Sequence, residues 1–229
     1  MKAIRLGSNV SYEDGLKHQD EAVADILENK GIERIYLLEH APVYTIGRLR
    51  DQSSLREAST LPAPVFETNR GGQATYHGPG QLVGYPVIDL KRHRKDLHWY
   101  LRQVEEALIR ALGAFGIAGG RSPGYTGVWV GGEGEHHAGG RKIASIGVHA
   151  RDWVTWHGFA LNVETDLSYF DLIVPCGISQ VQMTSVCREC DDTPTVAEVA
   201  SAVLQATAGV FALEPWVVEM SELGVVAET

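Results

Sequence analysis

The sequence predicts one mixed α/β domain, with helices laid over a largely antiparallel or mixed sheet. Three observations carry that expectation. Residues 142–162, KIASIGVHARDWVTWHGFALN, read as two alternating runs broken at Arg151-Asp152, which is the pattern of a β-hairpin. Leu97, Leu101, Val104, Leu108, Leu112 and Phe115 recur at helical spacing and make one apolar stripe suited to covering a sheet. The middle of the chain is rich in hairpin signals and lacks a glycine fingerprint between a strand and a helix, which disfavours a parallel dinucleotide-binding topology.

A chain of 229 residues has room for one substantial core or two modest lobes. We read residues 1–229 as one catalytic-sized domain, with 185–229 either part of the same core or a small flanking subdomain. The 44% hydrophobic and 21% charged content suits a globular protein and argues against extended disorder. No run of 18 apolar residues occurs and the opening MKAIRLGSNV lacks the apolar stretch of a secretion signal, so a cytoplasmic protein without membrane insertion is expected. Three cysteines do not make a disulfide framework. The net charge of −9 disfavours nonspecific contact with a nucleic-acid backbone, and an acidic partner would need a local basic patch.

In chain order, Lys2–Leu6 predicts a short strand. Ser11 and Asp14 offer a helix start, and Leu16, Val23, Ile26 and Leu27 continue it to a stop near Gly31. Ile35–Leu38 predicts a buried strand, and Tyr44–Ile46 is expected to continue that sheet after the His40-Ala41-Pro42 turn. His40 is read as a structural hydrogen-bonding group. Residues 51–64, with Pro62 and Pro64, read as an irregular excursion. Glu67–Leu90 is dense in glycine and sheet-forming residues. Gly71-Gly72 after Arg70 would let backbone approach a ligand closely, and His77-Gly78-Pro79-Gly80 reads as a rigid turn; a plain hairpin explains the same glycines equally well.

The helix of Leu97–Phe115 follows a basic run, Lys91, Arg92, Arg94 and Lys95, read as a solvated surface with docking of an acidic carrier as the alternative. Residues 119–140 hold nine glycines in 22 positions and read as loop, with a short strand at Gly127–Val130. Tyr125 and Trp129 either line an apolar pocket or anchor that loop. His136 and His137 lack a third ligand at useful spacing, so no metal is expected. Gly158, inside the second strand of the hairpin, would open room for a bound chain. Asp166–Phe170 predicts a brief helical turn. Thr195 and Glu198 form a capping box for a helix that Gly209 should end, and Phe211–Met220 closes the chain as a strand.

The chemistry-bearing residues are few. Cys176, between Pro175 and Gly177, is the best nucleophile, with a buried structural cysteine as the plain alternative. Lys142 opens the hairpin's first strand and is a candidate proton carrier; the bland reading packs its stem and sends its ammonium to water. His77 and His157 are alternative bases. Cys187 and Cys190 have the spacing of a redox pair or half a zinc site, but no second half follows, so ordinary thiols are expected.

Several motifs taken together resemble one family. These are Arg70-Gly71-Gly72-Gln73, Thr75-Tyr76-His77-Gly78-Pro79-Gly80-Gln81, Gly84-Tyr85-Pro86, Lys142-Ile143-Ala144-Ser145-Ile146-Gly147, His157-Gly158-Phe159-Ala160-Leu161-Asn162 and Val174-Pro175-Cys176-Gly177. In this order they resemble the octanoyl-ACP:protein N-octanoyltransferases, also called the lipoate-protein ligase B family. The resemblance implies a catalytic domain of the lipoate/biotin protein ligase type. It implies that Cys176 accepts the acyl group and that Lys142 is its acid/base partner. It further implies an acyl pocket walled by Arg70, Gly71, Gly72, Gln73, Ala74, Thr75, Tyr76, His77 and Gly78, by Ser145, Ile146 and Gly147, and by His157, Gly158, Phe159 and Ala160.

The family takes a medium-chain acyl group from the phosphopantetheine arm of acyl carrier protein. It delivers that group to a lysine of lipoyl domains in 2-oxoacid dehydrogenase E2 subunits or in the glycine-cleavage H protein. No cofactor, metal or ATP is implied. An ATP-dependent ligase on the same fold, a thioesterase and a noncatalytic acyl-carrier binding module are the competing readings.

Overall fold

The computed structural model describes residues 1–28, 31–48, 52–55, 58–132, 139–175 and 181–219. Strand β1 (Lys2–Val10) leads into helix α1 (Tyr12–Leu27), and β2 (Arg34–His40) returns beside β1. A second group holds β3 (Val43–Ile46), β4 (Val65–Glu67) and β5 (Thr75–His77), with 3-10 turns at Gln52–Leu55 and Ala58–Thr60 between the first two. Then come β6 (Gln81–Val87), α2 (Leu97–Gly113), β7 (Gly119–Gly120), β8 (Val128–Val130), β9 (Arg141–Arg151) and β10 (Val154–Asn162). A 3-10 turn at Leu167–Leu172, α3 (Val186–Glu189), α4 (Val196–Phe211) and β11 (Trp216–Glu219) complete the chain.

The main sheet has eight strands in the order β11-β1-β2-β6-β10-β9-β8-β7. The β11–β1 and β1–β2 pairs are parallel, and every later pair is antiparallel, so the sheet is mixed as expected. Side chains alternate across a strand. On β2, Ile35 and Leu37 join a core under α2 and α4, while Tyr36 and Leu38 join a second core under α1. Both faces of β2 and β6 are covered, which is why they read as continuous apolar runs. No helix among the described residues is long and apolar enough to cross a membrane.

Most predicted elements are present. The hairpin pairs Arg151 with Val154, and its two-residue turn puts Asp152 and Trp153 at φ of 50° and 70°. Ser11 caps α1 through the Asp14 amide, and Thr195 and Glu198 form the reciprocal capping box of α4. Asp166 caps the 3-10 turn that follows it.

Four expectations are corrected. Tyr44–Ile46 leaves the main sheet: β3 pairs instead with β4 and β5 in a separate three-stranded sheet. For the same reason His77–Gly80 is a crossing between two sheets rather than a hairpin turn. Gly80, at φ 76°, makes that crossing, and its carbonyl accepts from the amides of Val163 and Glu164 and from Thr165 Oγ1. Helix α1 ends at Leu27, and its buried face runs through Tyr12, Gly15, Gln19, Ala22, Val23 and Ile26, leaving Leu16 at its margin. Gly209 lies inside α4, which ends instead at Ala212 in the left-handed conformation.

Candidate active site

Strand β8 pairs with only the first residues of β9, Arg141–Ala144, so the edge of β9 beyond Ala144 is left open. The loop after β4 takes part of that edge. The Gly71 amide donates to the Val148 carbonyl at 3.0 Å, and a Cβ on Gly147 would lie 2.8 Å from the Gly71 carbonyl oxygen. A cavity of about 560 Å³ lies here, bounded by β9, β10, the Arg70–Gly72 loop and the first turns of α2.

Lys142 lines this cavity and is 1% exposed. Its Nζ lies 5.4 Å from the centroid of the Trp129 ring, within reach of a cation–π contact. Its backbone is held from the far side: its amide donates to the Gln182 carbonyl at 2.7 Å, and its carbonyl accepts from the Thr184 amide at 2.9 Å. Cys176 lies outside the described residues, as do His136 and His137. Of the residues that flank the segment 176–180, Val181 leads directly to this clip beside Lys142. On the other side, the Val174 amide donates to the Ser54 carbonyl at 2.7 Å.

Arg70 is buried and holds its own loop. Its guanidinium donates to Thr45 Oγ1, to the Thr45 carbonyl and to the carbonyls of Gly71 and Gln73, at 2.8–3.1 Å. A chain of polar groups continues from it. Thr45 Oγ1 faces His77 Nε2 at 3.5 Å, and His77 Nδ1 donates to Gln81 Oε1 at 2.8 Å. Gln81 Nε2 donates to Asn162 Oδ1 at 2.9 Å, and Asn162 Nδ2 donates to the Thr184 carbonyl at 3.0 Å. Each link fixes the donor and acceptor roles of the next, so His77 is the neutral Nδ1–H tautomer. Burial, with the charges of His40 and Arg70, pushes its pKa down to about 3.

His157 sits where β10 parts from β6, whose pairing resumes only at Phe159. It has φ 56°, and its amide, turned out of the ladder, donates to Gln19 Oε1 of α1 at 2.7 Å. Its Nε2 faces Asn69 Oδ1 at 2.7 Å, leaving Nδ1 buried without a partner among the described residues. Burial, then Arg70 and His149, push its pKa to about 3 as well. Both histidines are thus held neutral, well below the range in which a general base usually works.

Of the residues expected at the pocket, Arg70, Gly71, Gly72, Thr75, His77, Ser145, Ile146, Gly147, His157, Gly158, Phe159 and Ala160 line this cavity together with Lys142. Gln73, Ala74, Tyr76 and Gly78 do not. The reason is the two-residue period of β5: Thr75 and His77 face the cavity, while Ala74 and Tyr76 pack into a third core with Tyr44, Leu167 and Phe170. Gly78 lies beneath that same Tyr76, whose hydroxyl would be 2.1 Å from an added Cβ. Gly158 also answers a second demand. A Cβ there would lie 2.2 Å from the Gly84 carbonyl oxygen, so the neighbouring strand itself requires a glycine.

A scan against protein families matches residues 11–208 to the lipoyl protein ligase A/B catalytic domain. An octanoyltransferase from Rhodospirillum rubrum is 46% identical over 204 residues, covering 88% of this chain and 91% of the relative. One from Rubrobacter xylanophilus is 48% identical over 191 residues, covering 81% and 82%. The chain belongs to the octanoyltransferase family. It is an acyltransferase with a mixed α/β catalytic fold of the lipoate/biotin ligase type. A bipartite lipoate protein ligase from Thermoplasma acidophilum superposes with a TM-score of 0.68 over 96% of this chain and 87% of its own, and at 16% identity it shares the fold.

Other residues of this octanoyltransferase line the cavity without having been expected there. Leu97, His98 and Leu101 come from α2, and Tyr12, Val83 and Tyr85 from α1 and β6. Leu97 and Leu101 were visible as the start of an apolar stripe, but the stripe overruns the sheet and its first turn meets the cavity. Tyr125 lines the cavity, while Trp129 packs beside Lys142. The basic run ahead of α2 is largely paired: Arg92 and Lys91 face Asp89 at 3.2 and 3.9 Å, and Arg94 faces Asp96 at 3.1 Å. Cys187 and Cys190 are free thiols, and no cluster of metal-binding side chains occurs among the described residues.

Proposed function

We propose that this octanoyltransferase acts through Cys176 and Lys142, taking octanoyl from the phosphopantetheine thioester of acyl carrier protein. The carrying observation is a fully buried lysine that opens onto a largely apolar cavity. The Cys176 thiol gives its proton to the Lys142 amine, and the thiolate attacks the thioester carbonyl. The C–S bond to the carrier breaks, and the proton on Lys142 leaves with the carrier thiol. The neutral amine of a lipoyl-domain lysine then attacks the Cys176 thioester. An amide forms, and the proton it sheds returns to the Cys176 thiolate by way of Lys142. A thioester carries enough transfer potential for the amide, so the route uses no ATP.

The acceptors in this reading are the lipoyl domains of 2-oxoacid dehydrogenase E2 subunits and the glycine-cleavage H protein. Residues 1–229 act as one catalytic domain in the cytoplasm. Arg70–Gly72 and His157–Ala160 wall the acyl chain, and the cavity's closure sets the preferred chain length.

Intact-protein mass spectrometry after mixing with octanoyl carrier protein and no acceptor tests the route. An octanoyl adduct on Cys176 that an apo lipoyl domain then removes is the expected result. Transfer that survives in Cys176→Ser, or activity seen only with free octanoate and ATP, would sink it.

A further inference from the structure

Lys142 is roofed by the loop Arg121–Gly127, and that loop hangs from one buried carboxylate. Gly127, at φ 130°, lies on the lysine: an added Cβ would be 2.8 Å from Lys142 Cε and 2.6 Å from the Ala144 carbonyl oxygen. Only a residue without a side chain fits so close in that conformation. The Gly127 amide donates to Glu105 Oε1 at 3.2 Å, and Arg121 Nε donates to Glu105 Oε2 at 3.0 Å. Arg121 Nη2 ties the loop to α2 twice more, at the Arg102 carbonyl and at Glu106 Oε2. Arg102 completes the set on Glu105 Oε2 at 2.6 Å.

Glu105 is 0% exposed on the face of α2 that packs toward the sheet. Among leucines and alanines a carboxylate is a poor core residue, and its retention there calls for partners that use both oxygens. One oxygen takes two guanidinium groups and the other takes the amide that sits over Lys142. The carboxylate therefore couples the helix to the roof of the lysine chamber.

We propose that Glu105 is a positioning residue for Lys142, acting through Arg121 and the Gly127 amide to hold the roof that fixes the lysine's side chain. The proposal rests on the reading of Lys142 as the proton carrier for its catalytic consequence, but not for its structural one. With the roof released, water reaches the amine and the side chain gains freedom. Since misplacing a catalytic group by about 1 Å can cost about 100-fold, Glu105→Ala should lower kcat by about 10- to 100-fold. The Arg70–Gly72 and His157–Ala160 walls are untouched, while Tyr125 of the released loop also lines the cavity, so KM for the octanoyl carrier should change by less than kcat does.

The deciding measurement is trace labelling of amines with acetic anhydride, mapped by peptide mass spectrometry from pH 6 to 10. Lys91 and Lys95, both exposed, serve as internal references. Lys142 in Glu105→Ala should label about tenfold faster relative to them than in the unaltered chain, as expected for local opening of a held loop. Glu105→Gln keeps an acceptor for the Gly127 amide and should recover most of the protection. Arg121→Ala, which leaves Glu105 and Gly127 in place and removes one of the links between them and the loop, should reproduce part of the labelling change.

Equal labelling of Lys142 in the unaltered chain and in Glu105→Ala would overturn the proposal, whatever happens to activity or melting temperature. If Glu105→Ala does not fold, unchanged labelling in Arg121→Ala overturns it instead. Full transfer by Lys142→Arg would refute the proton-carrier reading alone, because the labelling ratio does not depend on turnover.

Discussion

Lowering the pH from 7 to 5.5 should destabilise this protein by an amount set chiefly by its buried histidines. His77 and His157 are held neutral, each with its pKa depressed to about 3 by burial and neighbouring positive charge. In the unfolded chain each titrates near 6.5. Between pH 6.5 and 3 the unfolded state therefore binds protons that the native state refuses, and stability falls as pH falls. At pH 5.5 each histidine has removed about 1.4 kcal/mol, against about 0.2 at pH 7, so the pair accounts for about 2.5 kcal/mol.

His40 and His149, also depressed by burial, push the same way. The ion-paired carboxylates of Glu106 and Glu189, which are held below their ordinary range, stay charged through this window and contribute only at lower pH. Urea unfolding at the two pH values measures the difference. His77→Gln, whose amide can keep a hydrogen bond toward Gln81, should remove about 1.2 kcal/mol of it. A loss below about 0.5 kcal/mol in the unaltered chain would refute the reasoning, since even one neutral buried histidine requires more.

Three further outcomes follow from the packing. Gly209→Ala should stabilise by about 0.5–1 kcal/mol in thermal melts, because the position is helical and a Cβ there meets nothing within 4 Å. Gly84→Ala should destabilise by about 1–3 kcal/mol, since its Cβ would lie 2.1 Å from the Phe159 ring; denaturant midpoints report it, and Phe159→Leu should recover part of the loss. Arg70→Lys should cost about 2–3 kcal/mol and lower transfer activity further, because an ammonium cannot reach Thr45, Gly71 and Gln73 at once. Transfer assays beside melting curves separate the two effects.

What the sequence determined by itself is local. Ser11 with Asp14 and Thr195 with Glu198 mark helix starts because a cap bonds a neighbour three residues along the same chain. The 142–162 hairpin and the α2 stripe are legible because their periods, two and 3.6, come from backbone geometry alone. The ordered glycine, histidine and lysine motifs also pointed to the right family, and most of the residues expected at the pocket do meet at one cavity.

Tertiary structure decided the rest, wherever a residue's role depends on a distant partner. Nothing local moves β3 and β5 off the main sheet; their pairing with each other does. Once β5 has that partner, its pleat alone sends Thr75 and His77 to the cavity and Tyr76 away from it. Gly209 stays helical because Val203, Leu204 and Phe211 of α4 pack into the core under α2, and that burial outweighs the ~1 kcal/mol propensity penalty of one glycine. Glu105 was not singled out in the sequence, and its partners Arg121 and Gly127 lie 16 and 22 residues away. Sequence records which side chains are available, but a hydrogen bond across such a span exists only when the fold has brought both ends to the same place.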